Sequence, residues 1–375
     1  YIIDPLYQLT PYRSKIDDSK LQQSLLITNL DKELINFKPR LFISKKSFDI
    51  DAATELNVHF QFYFSEWNQD LTQIKTPEEL FRISHEYLTL LGPHLSSCPS
   101  LITKLVRIGV NDIDKDNSTT EKWIDYVRKF IFPTTPLYEG NTFVTTEIYN
   151  LMKLFPFEKR YFMYNEMLTR LSQDSLAIKI GFNKAEREAK AVLKALSIDS
   201  IAKESRNLSQ LISSNPLATL IPAVKQIENY DKVSELLIYT TKFFNEFSYD
   251  VLQYVLLLRL THQRPAIQSD GVSQAPWVQR LAVFIAGLAK KCTQMNLSNI
   301  ITYIIKTLHN TDEKTSIIAV AILKELIITV GGIRDQNEVT FKSLIMLNSG
   351  EPVKQEARKL IYDSRDSNMD VAQNL

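Results

Sequence analysis

The residues with chemical potential are few, and each misses the spacing its chemistry needs. Asp112, Asp114 and Asp116 alternate as in a calcium-binding loop. Asn117 then stands where that loop requires glycine, and Trp123 where it requires a bidentate glutamate. The segment reads as an acidic, solvated loop. His85-Glu86 opens like the zinc-peptidase motif HExxH, but the second histidine would be position 89, which is Thr89. The five histidines (His59, His85, His94, His262, His309) share no ligand spacing. Cys98 and Cys292 are far apart with no histidine the sequence can pair with them, and no serine stands on a glycine-flanked elbow. No catalytic, cofactor-binding or metal-binding residue is assigned, and the chain is expected not to be an enzyme.

Two charged features survive. In residues 182–196, FNKAEREAKAVLKAL, the residues Lys184, Arg187, Lys190 (or Ala191) and Lys194 recur at helical spacing, opposite Val192, Leu193 and Leu196. Such a stripe suits RNA phosphates or an acidic partner. Glu186 and Glu188 are interspersed, so an ordinary solvated face is the competing reading. In residues 155–167, FPFEKRYFMYNEM, aromatics alternate with Lys159 and Arg160, a composition that can stack on bases. The helical spacing of Phe157, Tyr161, Tyr164 and Leu168 favours core packing instead.

The elements that must carry these residues are helices. The 375 residues contain 9 glycines, where an average composition near 7% would give several times more. Phosphate-cradling loops, tight hairpins and strand-to-helix turns need positive φ, which glycine supplies at least cost. No GxGxxG, GxxxxGK[ST] or GxSxG occurs, which argues against Rossmann, P-loop and α/β-hydrolase domains. Lys+Arg number 44 and Asp+Glu 43, so no global field attracts nucleic acid or membrane, and any such contact is a local patch. Two cysteines without a disulfide framework suit a reducing compartment. The longest uncharged stretch in the most apolar helix, LAVFIAGLA (281–289), is far shorter than the roughly 20 residues a bilayer requires. The chain opens with Tyr1 and is expected to be an internal piece of a longer protein.

Helix signals recur from end to end. Thr76-Pro77-Glu78-Glu79 reads as a capping box, followed by Leu80, Ile83, Tyr87 and Leu91 inward and a stop at Gly92-Pro93. Ser118 and Glu121 suggest a second capping box, ahead of Trp123, Ile124, Val127, Phe130 and Ile131. Asn215-Pro216 starts a helix carrying Leu217, Leu220, Val224 and Ile227, and Asp231 is expected to cap the next. Further helices are expected over 249–261, where Arg259 interrupts the apolar run, and over 277–289, 297–308 and 314–329. Trp277, Leu308 and Ile327 are expected to face inward. Gly92, Gly109, Gly140, Gly181 and Gly331-Gly332 are expected mostly to end helices, with Gly287 alone inside one. The segments 41–44 and 59–64 are the best strand candidates, but 52–71 reads better as helix.

The fold class expected is all-α, an elongated α-solenoid of HEAT-like antiparallel helix pairs. Successive pairs begin about 32 and about 49 residues apart, bracketing the roughly 40-residue HEAT period. Four regions are expected: an N-terminal helical region with an irregular start (1–131, including a basic stretch at 38–46), a helical bridge (132–214), HEAT-like repeats (215–335) and a helical or loose tail (336–375).

Several blocks, in order and spacing, carry a resemblance: LMKLFPFEKRYFMYNEM, KAEREAKAVLKAL, SSNPLATLIPAVKQIENYD, FSYDVLQYVLLLRL, SDGVSQAPWVQRLAVFIAGLAKK and LKELIITVGGI. Together, over about 132–350, they resemble the family of large scaffold subunits of the THO complex. One departure is local: Arg160-Tyr161 is followed by Phe162, where the family commonly has a second basic residue. The resemblance implies a non-catalytic scaffold within the nuclear THO/TREX assembly. It implies partners in the other THO subunits and in a DEAD-box RNA helicase, RNA contact indirectly or through basic patches such as Lys184, Arg187, Lys190 and Lys194, and a role linking transcription elongation to mRNA processing and mRNA export. It implies neither a cofactor, nor a small-molecule substrate, nor a membrane partner. A HEAT-type nuclear transport or adaptor scaffold unrelated to THO is the alternative.

Overall fold

Thr76 shows how local chemistry sets the first helix. Its side chain accepts from the Glu79 N–H at 3.4 Å, and the Glu79 carboxylate accepts from the Thr76 N–H at 3.4 Å and the Lys75 N–H at 3.0 Å. Donors that have no partner inside the helix are thereby satisfied, and Pro77 costs nothing at a position whose N–H is unused. The computed structural model describes residues 74–331 except 139, 197–199, 263, 270–272, 293 and 310–312, together with 3, 6, 7 and 9–11. The expectations for 38–46, 41–44, 52–71, Gly332 and the tail from 336 lie outside the described residues.

The helices are α1 Pro77–Leu91, α2 Pro99–Lys115, α3 Thr120–Tyr126, α4 Thr142–Met152, α5 Phe157–Glu166, α6 Leu176–Ala195, α7 Ile201–Ser214, α8 Pro216–Asn229, α9 Asp231–Thr240, α10 Glu246–Leu260, α11 Pro276–Lys291, α12 Ser298–His309 and α13 Glu313–Gly331. Five-residue π turns extend α3 (Val127–Ile131) and α5 (Met167–Leu171). Among the described residues there is no strand, only an isolated antiparallel bridge between Ile267 and Gln274. None of the described helices is long and apolar enough to cross a membrane. The chain divides into two compact units, Tyr1–Thr134 with Asn150–Arg160, and Thr135–Tyr149 with Tyr161–Leu375.

The first unit is built around an aromatic chain on α1 and α3. Phe81 meets Trp123 at 4.9 Å and Tyr126 at 5.4 Å, and Tyr126 meets Phe130 at 5.3 Å, all edge-to-face. The fully buried Trp123 donates its indole N–H to Asp112 at 2.7 Å. Ser84 lies 2.8 Å from the Tyr126 hydroxyl, and burial pushes that phenol far above its ordinary value. Three expectations change here. The α1 row facing the core is Leu80, Ser84 and Leu88, whereas Tyr87 and Leu91 are exposed, because the apolar face of the sequence is wider than the contact it makes. Asp116, not Ser118, supplies the cap, accepting from the Ser118 N–H at 2.9 Å, and the intended box becomes a 3-10 turn, Asn117–Thr119. Gly109 sits inside α2, where an added Cβ would stand 2.9 Å from Leu151 and 3.0 Å from Trp123, so it permits packing and ends nothing.

In the second unit helices two apart in sequence touch throughout: α6 with α8, α7 with α9, α8 with α10, α9 with α11, α10 with α12, and α11 with α13. Sequence neighbours also pack, α6 with α7, α7 with α8, α8 with α9, and α12 with α13. Leu220, Val224 and Ile227 of α8, Val251, Leu252 and Val255 of α10, and Leu281 and Ile285 of α11 are fully buried, each contributing about 1.5–3 kcal/mol of transfer free energy. A tyrosine cluster ties α5 to α10: Tyr164 donates to Asp250 at 2.7 Å, and Tyr161 lies 5.2 Å from Tyr254. Asp231 is the first helical residue of α9 and Tyr230 the capping position, one residue before the expected cap. Leu308 and Ile327 are exposed and Trp277 half-buried, all three expected inward. Gly287 meets its expectation: an added Cβ would stand 2.5 Å from Ile238 Cδ1.

Candidate interaction surface

The α6 helix positions the basic stripe. Its sequence, LAIKIGFNKAEREAKAVLKA, is rich in strong helix formers. Ile178, Ala189 and Leu193 are buried, and the helix packs on α7 and α8. Gly181 lies inside α6, where an added Cβ would be 2.7 Å from the Pro136 carbonyl oxygen. Gly181 was expected to end a helix; here it lets the backbone around Pro136 lie against one.

On the opposite side Lys184, Arg187, Lys190 and Lys194 are all exposed. At 100° per residue the four fall within a sector of about 120° and span roughly 15 Å along the axis. Ala191, the alternative to Lys190 in the same turn, is exposed in that sector too. Lys190 Nζ lies 2.7 Å from Glu186, and Arg187 donates through Nε to the Asn183 carbonyl at 3.3 Å. An exposed pair of this kind on one helix contributes only about 0.3–0.5 kcal/mol, so an incoming anion displaces it easily. The stripe is thus gathered on one solvent-facing surface.

The aromatic-basic block is used differently. Phe155, Met163 and Tyr164 are buried. Lys159 pairs with Glu121 at 3.2 Å, and Arg160 donates to the Phe155 carbonyl at 2.7 Å. The block packs into the core only in part: of the row that helical spacing favoured for packing, Tyr164 is buried, Tyr161 and Leu168 are half-buried, and Phe157 is exposed, as is the neighbouring Phe162.

A second charged cluster escaped the sequence reading, which saw Arg259 only as an interruption. Glu228 of α8, 5% exposed, receives two hydrogen bonds from Arg259 of α10 (2.8 and 2.6 Å) and two from Arg264 of the following loop (2.9 and 3.1 Å). Arg280 of α11 donates to the Glu228 carbonyl at 2.8 Å, and Arg264 lies over the Trp277 ring at 4.0 Å. Burial pushes the Glu228 carboxyl up, but hydrogen bonds and charge from Arg259 and Arg264 outweigh it and hold the group below the usual carboxylate range. This cluster pins the loop after α10 to three helices. The available signal was a glutamate and an arginine in otherwise apolar helices, which need partners when buried.

No group of three or more His, Cys, Asp or Glu arranged to hold a metal is found among the described residues. Asp112 and Asp116 serve as the Trp123 acceptor and a helix-turn cap, and Cys98 is exposed while Cys292 is buried.

Comparison with known proteins is consistent along the whole chain. The family model described as THO complex subunit 2 N-terminus matches residues 1–206, and that described as transcription- and export-related complex subunit matches residues 208–282. The chain is 59% identical over 381 residues to THO complex subunit 2 of Saccharomyces cerevisiae, an alignment covering 100% of this chain and 24% of that protein. It is 25% identical over 299 residues to THO complex subunit 2 of Homo sapiens, covering 76% of this chain and 18% of the relative. The protein of the same name from Arabidopsis thaliana is 25% identical over 309 residues, covering 76% and 16%. The chain therefore spans about a quarter or less of the length of these relatives.

Proposed function

This chain belongs to the THO complex subunit 2 family, and on that premise we propose that it is a non-catalytic scaffold segment of a nuclear THO/TREX assembly. It binds other THO subunits and docks and activates a DEAD-box RNA helicase, so coupling transcription elongation to mRNP assembly and mRNA export. The ATP chemistry belongs to the helicase. The observation that carries the reading is the whole-chain match, at 59% identity, to a relative named as a THO complex subunit. The alternative of an adaptor unrelated to THO falls with that match.

The packing supports a solenoid as the scaffold's form. Contacts between helices two apart link α6, α8, α10 and α12 in one series and α7, α9, α11 and α13 in another, with α8 also meeting α11, and we read these series as the layers of stacked helix pairs. The repeats are assigned to 215–335, flanked by the helical regions 1–131 and 132–214 and by the tail 336–375. The α6 stripe of Lys184, Arg187, Lys190 and Lys194 is the surface at which an RNA or a partner subunit is met.

The test uses the complete complex containing this chain. RNA-dependent ATP hydrolysis by the helicase is measured with and without the complex. A rise of several-fold, together with co-purification of the helicase, is expected; no binding and an unchanged rate overturn the proposal.

A further inference from the structure

The basic stripe does not stop at Lys184. Stepping back along the same helical face reaches Ile180 and then Leu176, which are 57% and 72% exposed. The full face reads Leu176, Ile180, Lys184, Arg187, Ala191, Lys194, one exposed residue per turn over about 27 Å, with Lys179 and Lys190 along one edge. Two branched aliphatic side chains in water at one end and a ladder of cations at the other form a bipolar surface.

Resting on the reading that this stripe meets a partner, we propose that the exposed face of α6 docks an acidic amphipathic helix of a protein partner. Aliphatic side chains of that helix cover Leu176 and Ile180, and carboxylates spaced three or four residues apart meet Lys184, Arg187, Lys190 and Lys194. Charge complementarity selects the occupant. The four stripe cations share their sector with no carboxylate; Glu186 and Glu188 stand at its two edges. The two aliphatic positions select protein over RNA. Phosphates are met by cations and hydrogen-bond donors, and bases stack on aromatic rings, whereas the Leu176 and Ile180 side chains offer no charge, no donor and no π face. An α-helix also matches the geometry, because its own residues recur once per turn at the same rise.

The experiment places a photoactivatable benzoyl-phenylalanine at position 180, or separately at 187, in the full-length chain within the assembled complex, and identifies the adducts by mass spectrometry. The expected result is one protein segment captured from both positions, carrying aliphatic residues at one end and carboxylates at three- and four-residue spacing. A fluorescent peptide of that segment is then titrated against the complex. Leu176→Ser with Ile180→Ser, and separately the quadruple charge reversal K184E/R187E/K190E/K194E, should each weaken binding roughly tenfold or more. Circular dichroism should leave helix content unchanged, since all six positions are on the surface. RNA adducts at 187 with none at 180, a captured segment without carboxylates, or no adduct at either position overturns the proposal. Co-purification of the THO subunits and helicase stimulation are read in the same preparations. Their retention alongside a failed capture removes this inference alone, and their loss in the unmodified complex removes the scaffold reading.

Discussion

The Glu228 cluster and the α6 face hold similar charges in opposite circumstances, and the difference separates structure from function. In the cluster Glu228 is 5% exposed and every arginine around it, Arg259, Arg264 and Arg280, is bound to it or to its backbone. On α6 the cations face water, and Lys190, 52% exposed, has only the weak pair with Glu186. A buried charge without its partner is very costly, so the first arrangement is tied to the fold. An exposed charge contributes little to stability, so the fold does not depend on the second. Location rather than count tells the two apart, in a chain whose net charge of +1 gives no hint of either.

The largest effect that tests this contrast is Glu228→Gln. It leaves the half-buried Arg259 and Arg264 without their anion and should cost about 3 kcal/mol, read as the free energy of urea unfolding. The charge reversal of Lys184, Arg187, Lys190 and Lys194 should change stability by no more than about 0.5 kcal/mol per site. Equal costs for the two variants would break the comparison. The pH dependence has a defined sign. The Glu228 carboxyl is held below its ordinary range in the folded chain, so its stabilisation is complete above the unfolded value of about 4.3 and is lost as pH falls through the folded value. The gap between the native chain and the Gln variant should therefore close in acid, as pH falls through the folded value of Glu228.

An intermediate effect concerns how the two surfaces are held in place. Gly181 faces a backbone oxygen, Pro136 O, at 2.7 Å from the position of an added Cβ, and Gly287 faces the terminal methyl of Ile238 at 2.5 Å. A methyl can rotate away; a backbone must move with its segment. Gly181→Ala should cost about 1–3 kcal/mol despite the better helix propensity of alanine. Gly287→Ala in α11, the helix that carries Arg280, should lie near neutrality. Thermal unfolding of both variants checks the order, and a more damaging Gly287→Ala would contradict it.

What the sequence revealed and what it hid follow from the range of the interactions. Thr76 with Glu79 marks a helix start through contacts within four residues and Pro216 marks another through its fixed φ, and both starts stand where they were expected. The surface position of the α6 stripe was legible for the same reason, because periodicity along one helix decides it. Arg259 was opaque because its partner is 31 residues away on another helix. Gly109 and Gly181 were misread because glycine both ends helices and lets them approach, and only the neighbour across the gap tells the two apart. Tyr87 and Leu91 failed because an apolar stripe announces a face without saying how much of it finds a neighbour. Leu176 and Ile180, likewise apolar and exposed, form the apolar end of the α6 face.

The smallest expected effect bears directly on the α6 face. Glu186→Gln removes the carboxylate paired with Lys190. Because the pair is exposed and lies within one helix, stability should fall by only about 0.3–0.5 kcal/mol, and the loss should vanish at 1 M salt, where screening acts over about 3 Å. Binding should move the other way. With Lys190 released and one negative charge gone, an acidic peptide should bind the face more tightly at low salt, and the advantage should shrink as salt rises. If Glu186 instead orders the face, Glu186→Gln will weaken binding together with stability. Anisotropy titrations at two salt concentrations distinguish a carboxylate that competes with the partner from one that prepares the surface for it.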